Sequence, residues 1–130
     1  MVKPCKIELL KGYVFRQSNP AIVGVEVLSG ILRSNTHLMN SEGKELTIVK
    51  GIQREQENVD RAEKGTRVAI SLPGITMGRQ VNEGVILYSL IPEDQFRKYK
   101  EYKEHLSEDE KSILKDVAEI MRKLNPVWGV

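Results

Sequence analysis

Four carboxylates, Glu55, Glu57, Asp60 and Glu63, stand close together in this 130-residue chain and form a pool of groups for acid–base chemistry. Paired-acid catalysis needs two carboxyls held in different environments, whereas a charge run between strands is ordinarily a solvated loop. A surface loop is therefore expected there. His37 and His105 lie in different regions with no second His or Cys at ligand spacing, so two surface histidines are expected and no metal site. Cys5 is the only cysteine, which excludes an internal disulfide and a thiolate cluster, and no local base would activate it. It reads as a half-buried strand thiol. The chain contains no G-x-x-x-x-G-K-[ST] to cradle a nucleotide phosphate, and Ser29-Gly30 and Ser71 to Gly74 lack the G-x-S-x-G of a nucleophile elbow. No catalytic residue and no cofactor is expected, and function must be sought in what a surface can bind.

The groups that could serve binding are basic. Arg16, Arg33, Arg54, Arg61, Lys64, Arg67 and Arg79 are spread over turns and strand ends, as suits either solubility or a surface that tracks phosphates. Phe15 beside Arg16 makes a stacking-plus-phosphate pair, although a phenylalanine in a strand is more often core. Residues 1–91 hold 12 Lys/Arg and 9 Asp/Glu, and residues 92–130 hold 8 and 9, so the positive excess lies in the first part. Such an excess permits nucleic-acid binding without announcing it. Hydrophobic residues at 40% and charged residues at 29% are an ordinary globular composition. The N-terminus lacks an apolar signal core and no apolar run approaches the roughly 18 residues needed to span a bilayer, so a cytoplasmic chain without membrane association is expected.

Two textures position these groups. From Cys5 to about Leu90, short Val/Ile/Leu-rich runs are punctuated by Gly, Asn and Pro, which predicts strands at Lys6–Phe15, Ala21–Leu28, His37–Asn40, Glu45–Gln53, Arg67–Leu72 and Val85–Leu90. Gly24 in the second run marks a bulge or a close backbone approach, and Gly30 is expected to end it with a turn. Ser41-Glu42-Gly43-Lys44 is a hairpin turn. Six or so strands in this length imply a small closed β-barrel over residues 1–91. At Pro92 the texture changes: Pro followed by acids starts a first helix with Phe96, Tyr99, Tyr102 or Lys103, and Leu106 on one face. Ser107-Glu108-Asp109-Glu110 is a capping box that starts a second helix burying Ile113, Leu114, Val117, Ala118, Ile120, Met121 and Leu124, and Asn125-Pro126 stops it. A mainly β chain with an α-helical hairpin over residues 92–130 is predicted, and Trp128 is expected to fold back onto apolar surface.

The runs F-R-Q-S-N-P-A-I-V-G-V-E-V-L-S-G-I-L, G-K-E-L-T-I-V-K-G-I-Q, V-D-R-A-E-K-G-T-R-V-A-I-S-L-P-G and G-R-Q-V-N-E-G-V-I-L-Y resemble the second-domain barrel of translational GTPases. The likeness is to the carboxy-terminal domain of archaeal and eukaryotic translation initiation factor five B, the homologue of bacterial initiation factor two, in which two helices follow the barrel. That resemblance implies a non-catalytic module that binds the aminoacyl acceptor end of initiator methionyl-tRNA and supports subunit joining on the ribosome, as a monomer. GTP and magnesium would belong to a GTPase domain elsewhere. tRNA contacts are then expected at Arg54, Gly65, Arg67, Arg79 and Arg16. Where the bacterial formyl-methionine pocket has a lysine, an aromatic and a cysteine, this chain has Gln53, Glu55 and Val68, in keeping with a factor that reads unformylated methionine. The resemblance further implies that the helical hairpin captures the carboxy-terminal tail of initiation factor one A. Tyr99, Tyr102, Ile120, Leu124 and Trp128 are the expected apolar contacts, with Lys100, Lys103 and Lys123 answering acidic residues.

Overall fold

Alternation of apolar and polar residues builds the first half of the chain in a computed structural model covering residues 1–130. In β1 (Cys5–Arg16), Cys5, Ile7 and Leu9 point inward. In β2 (Ala21–Arg33), Ala21, Val23, Val25 and Val27 do the same. Short strands follow as β3 (His37–Met39), β4 (Glu45–Ile48), β5 (Gly51–Arg54), β6 (Glu57–Val59) and β7 (Arg61–Glu63), then β8 (Arg67–Leu72) and β9 (Ile86–Ser89). All strand pairs are antiparallel, in the order β4-β3-β9-β1-β2-β8-β5-β6, with β7 on the far half of β2. β4 at one end of that order and β5, next to last at the other, are consecutive in the chain. One bent arm thus pairs with β3 and then with β8 and curls the sheet into a barrel-like form through the covalent chain, leaving β4 and β6 as its last strands.

Several expectations about the strands are corrected. The run Glu45–Gln53 is two strands, because at Val49 and Lys50 the backbone changes partners: the Val49 N–H donates to Thr36 O and the Lys50 N–H to Ser71 O. Gly30 does not end β2. Its φ of +76° bends the strand from its β8 partner toward β7, and a Cβ there would clash with Pro4 O and lie 2.8 Å from Ile113 Cδ1. The acidic run is not all loop, since Glu57 lies in β6 and Glu63 in β7. Cys5 is fully buried rather than half-buried. Desolvation pushes its thiol from an ordinary value of 9.0 up to about 12, and its N–H donates to the Ser89 hydroxyl at 2.9 Å.

The chain then turns into α1 (Glu93–Glu101), a single 3-10 turn (Lys103–His105) and α2 (Glu108–Leu124). The capping box at Ser107 forms as expected: the Glu110 N–H donates to Ser107 Oγ at 3.1 Å and the Ser107 N–H to Glu110 Oε1 at 3.0 Å. A second apolar cluster forms from Phe96, Tyr99, Ile113, Leu114, Val117, Ala118, Ile120 and Trp128, with Met39 and Ile91 from the barrel side. Lys64 bonds Asp109 at 3.1 Å and Lys6 reaches Asp116 at 3.6 Å, tying α2 to the strands. Tyr99 donates its hydroxyl to Val2 O, and burial, aided by the nearby Glu110 carboxylate, raises its pKa and keeps that proton in place. Leu124, expected in the buried stripe, is 64% exposed because it is the last residue of α2, where the helix passes the tip of the β3–β4 hairpin at Gly43.

Candidate binding grooves

A groove of about 550 Å³ crosses the outer face of the barrel. Its floor follows from register. Gln53 lies opposite Ala69 and Ala69 opposite Gly24, so one outward row carries two of the smallest side chains. Beside that row β1 bulges: its pairing with β2 shifts between Leu9 and Val14, and Gly12 takes a φ of +82° in the bulge. The bulge brings Tyr13 over Gly24, where a Cβ would sit 2.9 Å from Tyr13 Cβ. Gly24 is therefore the close backbone approach its sequence position predicts.

Tyr13 and Phe15 form one wall, with ring centroids 6.4 Å apart and planes at 68°. Phe15 is 64% exposed, against the expectation of a core residue, because the β1 bulge turns it outward. The other wall is the β5–β6 hairpin tip, where Glu55 and Gln56 adopt φ of +52° and +69°. Arg67 lies at the groove's end, its Nε donating to Glu26 Oε1 at 3.1 Å. The lining thus combines an apolar floor, two exposed rings, one paired cation and a carboxylate, Glu55, with no ion-pair or hydrogen-bond partner.

Of the five expected tRNA contacts, Arg67 alone lines this groove. Arg54 is exposed opposite Glu57 in the same hairpin, and Arg79 is exposed in the loop before β9. The Arg16 Nε donates to Ser18 O at 2.9 Å at the end of β1. Gly65 occupies the β7–β8 turn with φ of +86°, its N–H donating to Val27 O at 2.8 Å, which explains a glycine there on backbone grounds. Gln53, Glu55 and Val68, the positions that differ from the bacterial pocket, all line the groove. Tyr13, Gln56 and Ile22 also line it and were not singled out by sequence; the only signal toward them was the Gly12 and Gly24 pair.

A second groove of about 720 Å³ runs between α1 and α2. Phe96, Tyr99, Leu106, Leu114 and Ala118 form its floor, and Lys100, Lys103, Lys111, Lys115 and Arg122 face the single acid Glu119 on its rim. The tail of the chain lies across one end. Trp128 packs on Phe96 with centroids 4.8 Å apart, Lys100 Nζ donates to Gly129 O at 2.7 Å, and Arg122 Nε donates to Trp128 O at 2.8 Å. Among the expected partner contacts, Tyr99, Lys100 and Lys103 line this groove. Ile120 and Trp128 are buried in the helical core, whereas Tyr102 and Leu124 are exposed outside it.

The chain is thus a small antiparallel barrel with surface grooves, carrying two packed helices. Residues 3–88 match the family described as elongation factor Tu domain 4, and the chain belongs to that family. Within translation factors its likeness is to the archaeal initiation branch. It is 46% identical over 131 residues to a probable translation initiation factor IF-2 of Methanopyrus kandleri and 42% identical over 132 residues to that of Metallosphaera sedula, matching 100% of this chain and 22% of each relative. It superimposes on the crystal structure of GDP-bound aIF5B from Aeropyrum pernix with a TM-score of 0.92 at 40% identity, covering 99% of this chain and 22% of that one. The elongation factor SelB of Methanococcus maripaludis, at 24% identity and a TM-score of 0.55, shares the fold over 69% of the chain. The resemblance read from the barrel motifs is borne out: this is a domain of the IF-2/aIF5B kind, spanning about a fifth of the length of those relatives. No helix is long and apolar enough to cross a membrane.

Proposed function

We propose that the barrel groove holds the aminoacylated acceptor end of initiator methionyl-tRNA and that the domain thereby supports ribosomal subunit joining. The exposed Tyr13–Phe15 pair over the Gly24–Ala69 floor carries this reading. Exposed rings beside a flat floor are what a terminal base stacks on, and such stacking is worth about 1–3 kcal/mol per base. Arg67, Arg16, Arg54 and Arg79 lie on the same barrel to meet the phosphates, with Gly65 shaping the turn beside Arg67. The domain binds without catalysing, as a cytoplasmic monomeric unit; GTP and magnesium serve another domain of the full-length factor. The test is titration of isotopically labelled protein with methionyl-initiator tRNA and with deacylated tRNA. Shifts at Tyr13, Phe15, Gly24 and Arg67 that require the methionyl ester are expected, with Phe15→Ala weakening binding by about 1–3 kcal/mol. Weak shifts spread equally over every basic loop with both tRNAs would sink it.

A second reading is favoured by the interhelical groove, whose rim sets five cations against one acid over an apolar floor. That combination suits a peptide alternating acidic and apolar side chains, and the carboxy-terminal tail of initiation factor one A is the proposed occupant. Reversing charge at Lys103 and Lys115 should abolish its binding and leave tRNA binding intact. Unaltered affinity for the tail would reject this reading.

A further inference from the structure

Resting on the peptide reading of the interhelical groove, we infer that residues 125–130 are an autoinhibitory strap, which closes one end of that groove at rest and is lifted by an acidic ligand. The cations of the rim divide into two sets. Lys103 and Lys115 have no ion-pair partner, and Lys111 meets only the exposed Glu108, at 3.3 Å. Lys100 and Arg122 are already engaged, and by uncharged groups: Lys100 Nζ donates to Gly129 O at 2.7 Å and Arg122 Nε to Trp128 O at 2.8 Å. Both cations also lie by the Phe96 ring, 5.9 and 5.7 Å from its centroid, and Trp128 packs on the same ring with centroids 4.8 Å apart. The strap thus takes two of the groove's five cations and part of its Phe96 floor.

The way the strap is held makes it displaceable. Beyond the end of α2 one side chain, Trp128, is buried, while Val127 and Val130 are 66% and 73% exposed. The other fastenings to α1 are hydrogen bonds, from the Gly129 N–H to Glu93 Oε2 at 2.7 Å and from Arg97 Nε to Val130 O at 3.4 Å. A short segment with a single apolar anchor belongs to the low-stability end of a fold and opens without the rest unfolding. Lys100 and Arg122 meet only carbonyl dipoles in the strap, whereas a carboxylate offers each a full opposite charge as well as a lone pair. An acidic peptide that enters over Lys103 and Lys115 therefore competes with the strap for the same two donors. An apolar side chain beside its acids takes the place of Trp128 on Phe96. The apparent affinity of such a ligand is its intrinsic affinity scaled by the fraction of molecules whose strap is open.

Trp128 is the only tryptophan, so its fluorescence reports the strap directly. The experiment titrates the 130-residue chain and Gly129→Ala with a tryptophan-free peptide of the initiation factor one A tail, reading affinity together with Trp128 emission and its quenching by acrylamide. Gly129 has a φ of +70°, and a Cβ there would lie 2.7 Å from Phe96 Cδ2, so the substitution strains the closed strap and leaves all five rim cations in place. In the wild type, saturation with peptide should shift Trp128 emission to the red and raise its quenching, as water reaches the ring. Gly129→Ala should bind the peptide about fivefold more tightly, as left-handed strain on a residue with a side chain implies. Binding that leaves Trp128 emission unmoved overturns the strap and leaves the peptide reading standing. So does a Gly129→Ala chain of wild-type circular dichroism that binds no more tightly than wild type. Should Gly129→Ala lose helical signal, the Trp128 response of the wild type decides alone. Failure of the wild type and of a folded Gly129→Ala to bind the peptide would overturn both readings.

Discussion

The barrel groove and the interhelical groove both have apolar floors and differ in the sign of their rims: Arg67 against Glu55 and Glu26 in one, five cations against Glu119 in the other. Regional charge points the other way. Residues 1–91 carry the positive excess, yet the basic groove belongs to residues 92–130, where Asp and Glu outnumber Lys and Arg. Helical periodicity resolves the contrast. Lys111, Lys115, Ala118 and Arg122 recur at spacings of four, three and four and therefore share a face of α2, while most acids of the segment fall elsewhere. On the barrel, the Glu26–Arg67 pair is a cross-strand register pair, so a basic residue is neutralised by its neighbour before any ligand arrives. A partner is recruited by the sign of a face, not by the sum over a segment.

The contrast presumes that two apolar cores stand side by side, and Gly30 is where that can be broken most severely. Its left-handed φ and the Pro4 and Ile113 contacts leave no room for a side chain. Gly30→Val should cost about 3 kcal/mol or more, as strain and overpacking combine, read as a lowered denaturation midpoint. Because Ile113 belongs to the helical core, barrel and helices should lose stability together; an unchanged helical transition would show the cores to be independent. Alkali probes the barrel core alone. The folded state keeps the Cys5 thiol protonated up to about pH 12, while the unfolded chain releases it near pH 9, so the unfolded state binds fewer protons in that window. Stability from this group is complete below pH 9 and declines by about 1.4 kcal/mol per pH unit up to about pH 12. Cys5→Ala should remove this component of the slope, visible as a shallower stability–pH curve than wild type; parallel curves would refute it.

Gly24→Ala separates the grooves with a smaller change. The new methyl would meet Tyr13 Cβ at 2.9 Å, and Cβ cannot move without its backbone. A loss of about 1–2 kcal/mol of stability is expected, with loss of ligand response at Tyr13 and Phe15 and unchanged acidic-peptide binding between the helices. Equal weakening at both grooves would mean that the substitution disturbs the whole fold.

Much of the barrel was legible because its inward faces alternate cleanly: Ile7 and Leu9, Val23 to Val27, Val68 to Leu72. The second helix was legible from its capping box and its stop at Asn125-Pro126. What stayed hidden was set by partners far away in sequence. The split of β4 from β5 depends on Ser71 receiving Lys50, and β6 and β7 are three-residue strands whose existence rests on β5 and β2. The barrel groove was hidden for the same reason. Gly24, Ala69 and Gln53 are unremarkable apart and become a floor only in register, and Phe15 reads as core until the bulge after Leu9 turns it outward. Of the basic residues that stand out in the sequence only Arg67 lines the groove, which is bounded by rings and an unpaired acid.

Ser107→Ala gives the smallest expected effect and tests whether the interhelical groove depends on its helix terminus. The Ser107 hydroxyl accepts the Glu110 N–H, and losing it leaves that donor to water at an exposed position, a cost of about 1 kcal/mol. The loss should be confined to the first turn of α2, because Ile113, Leu114 and Val117 hold the rest of the helix in the core. Lys111 lies within that frayed turn, but Lys115 and Arg122 lie beyond it. Acidic-peptide affinity should therefore fall by no more than about threefold, since one exposed charge contact is worth well under 1 kcal/mol. Amide exchange should quicken at Glu110 and Lys111 and stay unchanged at Gly24 and Ala69. A tenfold loss of peptide affinity would show instead that the groove is organised from its N-terminal end, with the Ser107–Glu110 box holding the whole basic face in place.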